Sequence, residues 1–250
     1  MSTTSRPISA RHLAYIAQHT AGDDRFLLEL KAAARVAGIP SISIAPEQAS
    51  LMQILLRLAR AREVVEIGTL AGYSAIVMAR ALPRGGRVRT IEIDPDRAAW
   101  AKAWVAKSDV ADRVEVLCGK GLEILATFQD QSADAAFIDA DKANYHRYLQ
   151  HCLRIVRPGG LIMADNALAF GELLKSTARD PEVLAIRRFN SRIAASRLLQ
   201  AIIVPLGDGL WVGVRSSSGA RPFHGGRRTT GGPRTRRRTR RGPDAGSRSR

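Results

Sequence analysis

A chain of 250 residues with 45% hydrophobic and 25% charged content can bury one full core or at most two small ones. It contains no run near the roughly 18 unbroken apolar residues of a membrane span, so a soluble globular protein is expected. The formal charge of +16 is concentrated: eleven of the 39 Lys and Arg and one of the 23 acidic residues fall in Ser216–Arg250, which leaves only +6 on the first 215 residues. That placement argues against a nucleic-acid-binding domain and for a basic tail, expected to be disordered because it has one aromatic and no large aliphatic side chain. The opening MSTTSRPISARHLAYIAQHT lacks a basic cluster followed by an apolar run, so secretion is not indicated and a cytoplasmic location is expected. Cys118 and Cys152 read as small buried hydrophobes rather than a disulfide or a zinc site.

After a polar start, apolar residues at helical spacing predict helices over Asp24–Ala37 and Ser50–Ala61, joined by a proline-punctuated connection from Gly38 to Pro46. A strict alternation follows: strand Val64–Ile67, helix Tyr73–Leu82, strand Arg87–Ile93, helix Asp96–Lys107, strand Val114–Cys118 and a short helix over Leu122–Phe128. It continues with strand Ala135–Ile138, helix Asn144–Ile155, strand Gly160–Ala164 and helix Pro181–Ala195. Two last strands, Leu199–Pro205 and Leu210–Val214, are linked by Leu206-Gly-Asp-Gly209 and read as an antiparallel edge hairpin. Successive βα units imply a doubly wound α/β fold, a mostly parallel seven-stranded sheet with helices on both faces. In such sheets ligands bind beyond the carboxyl ends of the strands.

The first strand runs into Glu66-Ile-Gly-Thr-Leu-Ala-Gly-Tyr-Ser74. Gly68 and Gly72 allow a tight turn and close approach of a ligand to the backbone, but their G-x-x-x-G spacing lacks the dinucleotide pattern, and no phosphate-loop Lys-Ser/Thr follows. Glu92, 24 residues after Gly68 at the end of the second strand, could accept both hydroxyls of a ribose or could be a surface acid near a helix start. Asp139 closes the fourth strand, and Asp165 with Asn166 closes the fifth. These hard oxygen donors suit Mg²⁺, Mn²⁺ or Ca²⁺, or else act as N-caps of the helices that follow.

Glu66-Ile-Gly-Thr-x-x-Gly-Tyr-Ser74, Ile91-Glu-Ile-Asp-Pro95, Phe137-Ile-Asp-Ala-Asp-Lys142, Arg157-Pro-Gly-Gly160, Ala164-Asp-Asn166 and Leu206-Gly-Asp-Gly-Leu210, in that order, resemble the bacterial O-methyltransferases related to catechol and caffeoyl-coenzyme A O-methyltransferases. The match runs from about Ala21 to Arg215. It implies a Rossmann-like methyltransferase domain over residues 1–215 with its N-terminal helices as a lid, a homodimer, and S-adenosylmethionine as methyl donor. Glu66, Gly68, Thr69, Gly72, Tyr73 and Ser74 would wrap the methionine part, Glu92 the ribose, and Gly119 with Gly121 the adenine, while Asp139 would lie near the amino group. The resemblance also makes Asp139, Asp165 and Asn166 ligands of a divalent cation, and Lys142 the general base, which burial and a neighbouring dication would lower in pKa.

Where the relatives carry an aromatic residue beyond Asp-Asn, this sequence has Ala169, with Phe170 beside it, so the wall facing the acceptor is altered. His146 reads as a surface or packing histidine, and Trp100 with Trp104 at i and i+4 as core or dimer surface. The expected reaction is methyl transfer to a hydroxyl of a catechol-like or other vicinal-diol small molecule, with any nucleic acid met only through non-specific tail contacts. Two alternatives stand beside it, an enzyme acting on nucleic acid and a protein that binds S-adenosylmethionine without catalysis.

Overall fold

The computed structural model describes residues 8–217. The expected disordered tail falls almost wholly outside them. The helices are α1 Ala10–Gln18, α2 Arg25–Val36, α3 Pro46–Leu58, α4 Tyr73–Ala81, α5 Pro95–Val105, α6 Gly121–Thr127, α7 Tyr145–Ile155 and α8 Pro181–Ala195. The strands are β1 Glu63–Ile67, β2 Arg87–Glu92, β3 Val114–Cys118, β4 Ala133–Ile138, β5 Val156–Ala164, β6 Leu199–Val204 and β7 Leu210–Arg215. They form one sheet in the order β3-β2-β1-β4-β5-β7-β6. The first five are parallel, and β7 lies antiparallel between β5 and β6.

The expected α/β fold is therefore present, and side-chain alternation explains its two faces. Val64, Phe137, Leu161 and Met163 point into the layer built with α2, α3, α4 and α5. Val65, Ala136, Ile138, Ile162 and Ala164 point into the opposite layer with α6, α7 and α8. Both faces are apolar because both are covered, the usual condition of a parallel sheet. Trp100 and Trp104 stack with centroids 5.4 Å apart, and Trp104 meets the edge of Phe26 on α2, so this pair packs helix on helix.

Three local expectations are corrected. α1 was not anticipated, since its start read only as polar; none of its residues is buried, and it is closed locally by Ser9 and His12, with Ser9 N donating to His12 Nδ1 at 3.1 Å. α3 begins at Pro46 rather than Ser50, because proline at the first helical position gives up no needed N–H. Cys118 is exposed, unlike buried Cys152, because it ends the edge strand β3. Among the described residues no helix is long and apolar enough to cross a membrane.

Candidate active site

The sheet's hydrogen-bond ladder runs one residue past several strands and so fixes what stands at its carboxyl edge. Gly119 N donates to Glu92 O, Gly68 N to Ile91 O, Asp139 N to Ile67 O and Asp165 N to Ile138 O, all between 2.8 and 3.0 Å. Gly119, Glu92, Gly68, Asp139 and Asp165 thus form a row across five neighbouring strands. Only glycine fits at position 68: its φ is +95°, and a Cβ there would lie 1.9 Å from the Asp139 carbonyl oxygen.

In front of this row opens a cavity of about 730 Å³, within the range of small-molecule and cofactor sites. Gly68, Thr69, Tyr73, Ser74, Glu92, Gly119, Gly121, Asp139 and Lys142 line it, as does the segment Ile42–Ile44 between α2 and α3, while Asp165 and Asn166 are not on its wall. Gly72 is not on the wall. It caps α4 with φ 80° and shapes the turn. Glu66 also lies behind the wall, fully buried, with Oε1 accepting from the Ser74 hydroxyl at 2.5 Å. Burial pushes its carboxyl up to about 8, the charges of Asp139 and Glu92 adding to the effect against hydrogen bonds from Ser74 and Thr90.

Glu92 is not a surface acid. It is 6% exposed; Oε2 accepts from Leu70 N at 2.8 Å and Thr69 N at 3.3 Å, and Oε1 from Asp94 N at 3.1 Å. The carboxylate therefore braces the glycine turn while presenting its remaining lone pairs to the cavity. Tyr73 places its ring on the wall, with its hydroxyl donated to Asp23 at 2.7 Å and Lys31 over the ring. This ties α2 to the cavity's side.

Asp139 and Asp165 face one electrostatic environment. Burial raises both carboxyls, Asp139 against the lowering charge of Lys142, and Asp165 to about 6 with the Asp139 charge adding to burial. The Lys142 ammonium is itself buried and donates to Asp139 Oδ1 at 3.2 Å and to the Tyr145 hydroxyl at 2.6 Å. Burial, then the charges of Asp139 and Asp165, hold Tyr145 well above its ordinary range and hence neutral. None of Asp139, Asp165 and Asn166 is the N-cap of a helix; among the described residues Asp24, Asp94 and Asp180 are the aspartates whose side chains accept from a helix N-terminus. The capping alternative for these three is thus removed. Among the described residues no group of three or more His, Cys, Asp and Glu is placed to hold a metal, and of Asp139, Asp165 and Asn166 only the first two belong to those residue types.

Residues that sequence reasoning did not single out complete the surroundings. Gln48 donates from Nε2 to Asp165 Oδ1 at 2.7 Å, and Asp208 Oδ2 accepts from Asn166 Nδ2 at 3.1 Å. The Tyr148 hydroxyl donates to Asp141 Oδ1 at 2.5 Å. Ala169 is fully buried against Val183 and Ile186, while Phe170 stands 49% exposed at φ 58°, so the aromatic beyond Asn166 points out of the α8 layer.

A Rossmann-like sheet with a glycine turn after β1, a buried acid ending β2 and acids after β4 and β5 is the arrangement of an α/β protein that binds its ligand at the strand ends. The profile of the O-methyltransferase family matches residues 17–216, and the chain belongs to that family. It is 39% identical over 208 residues to a catechol O-methyltransferase of Niastella koreensis, a match covering 82% of this chain and 92% of the relative. A catechol O-methyltransferase of Mycobacterium tuberculosis is 38% identical over 175 residues, covering 70% of this chain and 79% of its own length. The crystal structure of an O-methyltransferase from Bacillus cereus in complex with SAH superposes with a TM-score of 0.74 at 34% identity, over 81% of this chain and 96% of that one.

Proposed function

We propose that the chain transfers a methyl group from S-adenosylmethionine to one hydroxyl of a catechol-like or other vicinal-diol small molecule, with the help of a divalent cation. The observation that carries this reading is the row of strand ends that sets Asp139 and Asp165 in one electrostatic environment with buried Lys142, Asn166 following Asp165 in the chain and none of the three capping a helix. The names of the Niastella and Mycobacterium relatives support the acceptor class, and SAH in the Bacillus structure supports the donor.

The donor supplies an electrophilic methyl on a sulfonium. Glu92 would take the ribose hydroxyls, the Gly68–Ser74 turn the methionine part, and Asp139 the amino group, while Ile42–Ile44, which line the cavity, would help to keep water out. Homodimer formation, with α1–α3 as a lid, belongs to the same proposal.

The donor set fits a hard divalent cation: two carboxylates whose charged forms are disfavoured by burial, one of them further by the other's charge, plus an amide oxygen, with no soft ligand among them. Asp139, Asp165 and Asn166 would hold the ion. When bound, such an ion supplies Lewis acidity that favours ionised hydroxyls. Lys142, within 3.2 Å of Asp139, would first release its own proton to solvent, a loss the neighbouring dication would favour, and as the neutral amine would take the departing hydroxyl proton at Nζ as the oxygen attacks. The test is a methyl-transfer assay against catechols, sugars and RNA, with and without chelator. Transfer to catechols that chelator abolishes is expected; full activity in chelator would sink the cation's role, and preferred transfer to RNA the acceptor class.

A further inference from the structure

We propose that Gln48 and Asp208 are positioning residues that orient the oxygens of Asp165 and Asn166 for a divalent cation. This rests on the reading of Asp139, Asp165 and Asn166 as its ligands. A side-chain amide has two unlike ends, so whatever engages one end decides where the other points.

Gln48 is 1% exposed. Its Oε1 accepts from Ala45 N at 3.2 Å at the start of α3, which leaves Nε2 to donate to Asp165 Oδ1 at 2.7 Å. The β6–β7 loop closes the space behind it: Gly207 has φ +56°, and a Cβ there would lie 1.9 Å from Gln48 Oε1. The amide is held at both ends, and the Asp165 carboxylate is gripped by Gln48 at Oδ1 and by the backbone N–H of Asn166.

Asn166 is engaged from the opposite end. Its backbone is left-handed at φ 61°, a conformation asparagine tolerates. A carboxylate only accepts, so Asn166 must turn Nδ2 to Asp208 Oδ2, leaving Oδ1 as its unengaged donor oxygen. An aspartate at 166 would instead oppose carboxylate to carboxylate. Asp208 is itself held, because Oδ2 also accepts from Phe170 N at 2.9 Å and its carbonyl from Leu168 N at 2.8 Å. The same contacts hold the left-handed residues Ala169 and Phe170 that follow. One hairpin loop therefore backs the partner of one ligand and grips the other.

Residues that orient ligands from outside the coordination shell are typically worth about 10- to 100-fold in metal affinity. Titration of the full chain with Mn²⁺, followed by the electron paramagnetic resonance of the free ion, tests the proposal without turnover. Asp208→Ala should weaken binding by about 10- to 100-fold. Asp208→Asn should stay within a few-fold of the wild type, because its amide oxygen still accepts from Asn166 and Phe170. Wild-type affinity in Asp208→Ala overturns the proposal. So does Asp208→Asn binding as weakly as the alanine variant, since charge alone would then be at work. Gln48→Met changes no hairpin residue and should also lose about tenfold or more, which keeps the question answerable if circular dichroism shows that Asp208→Ala does not fold. A wild type that binds no Mn²⁺, or an Asp165→Ala variant that binds it normally, fails the ligand reading itself and is distinguished by those two samples.

Discussion

Replacing Glu92 by glutamine keeps its shape while removing its charge and one of its two acceptor oxygens. The carboxylate accepts from Thr69 N and Leu70 N on one oxygen and from Asp94 N on the other. Glutamine can serve only one side with its oxygen and sets an NH₂ against a backbone N–H on the other. An unmet buried donor costs about 1–3 kcal/mol, and the lower end applies if the amide turns its NH₂ to Asp94, nearer solvent. A ribose hydroxyl donating to a charged acceptor is worth about 1.5–3 kcal/mol, and the variant loses at least one such bond. At about 1.4 kcal/mol per tenfold, the Kd for S-adenosylhomocysteine should rise roughly 10- to 100-fold. Titration calorimetry beside thermal melting separates the two effects. A variant that melts early but binds normally would leave Glu92 as a brace of the glycine turn and remove it from the ribose. One that both melts and binds as the wild type does would refute both roles.

Lys142→Ala should slow methyl transfer by about 10²–10⁴ while leaving S-adenosylhomocysteine affinity within a few-fold, and should recover in part at higher pH as hydroxide substitutes for the amine. Single-turnover rates across pH check this, and wild-type rates near neutrality would remove Lys142 from the chemistry. Glu66 titrates near 8 in the fold against 4.5 unperturbed, so its contribution to stability is complete below about pH 4.5 and is lost as the pH climbs to about 8. Glu66→Gln, which cannot ionise, should therefore gain on the wild type in melting temperature between about pH 5 and pH 8; a constant offset over that window would contradict the raised pKa. Deleting residues 218–250, beyond the family match that ends at 216, should leave turnover on a small phenol unchanged and abolish salt-sensitive binding to polyanions. A large fall in turnover would make those residues part of the enzyme.

The strand ends were legible because β-rich runs and helical spacing alternate without interruption from Val64 onward, and a parallel sheet places whatever follows each strand at one edge. β3 and α8 fall on Val114–Cys118 and Pro181–Ala195 as the pattern implies, the latter capped by the Asp180 side chain on Glu182 N. Glu66 shows the limit of motif reading: adjacency to the glycine turn suggested contact with the donor, whereas strand alternation turns its side chain behind Ser74. Gln48 escaped notice because Pro46 read as a loop breaker, so the first turn of α3 was taken for connection. Its partner Asp165 lies 117 residues away and Asp208 lies 42 from Asn166. Spacing along a chain carries no signal for such pairs, which depend on how the sheet brings distant ends together.

The insertion of β7 between β5 and β6 has a consequence for the order in which the molecule is made. A nascent chain emerging from the ribosome can assemble β1 to β5 and shape the glycine turn, Glu92 and Gly119 while the hairpin is still being translated. Gly207 and Asp208 arrive only with the final strand pair, and closing contacts across such long stretches of chain is slow. The residues of the glycine turn are thus made before those that engage Gln48 and Asn166 from the hairpin. A chain interrupted before Gly207 would carry the glycine turn, Glu92 and Gly119 and lack the loop that backs Gln48 and accepts from Asn166.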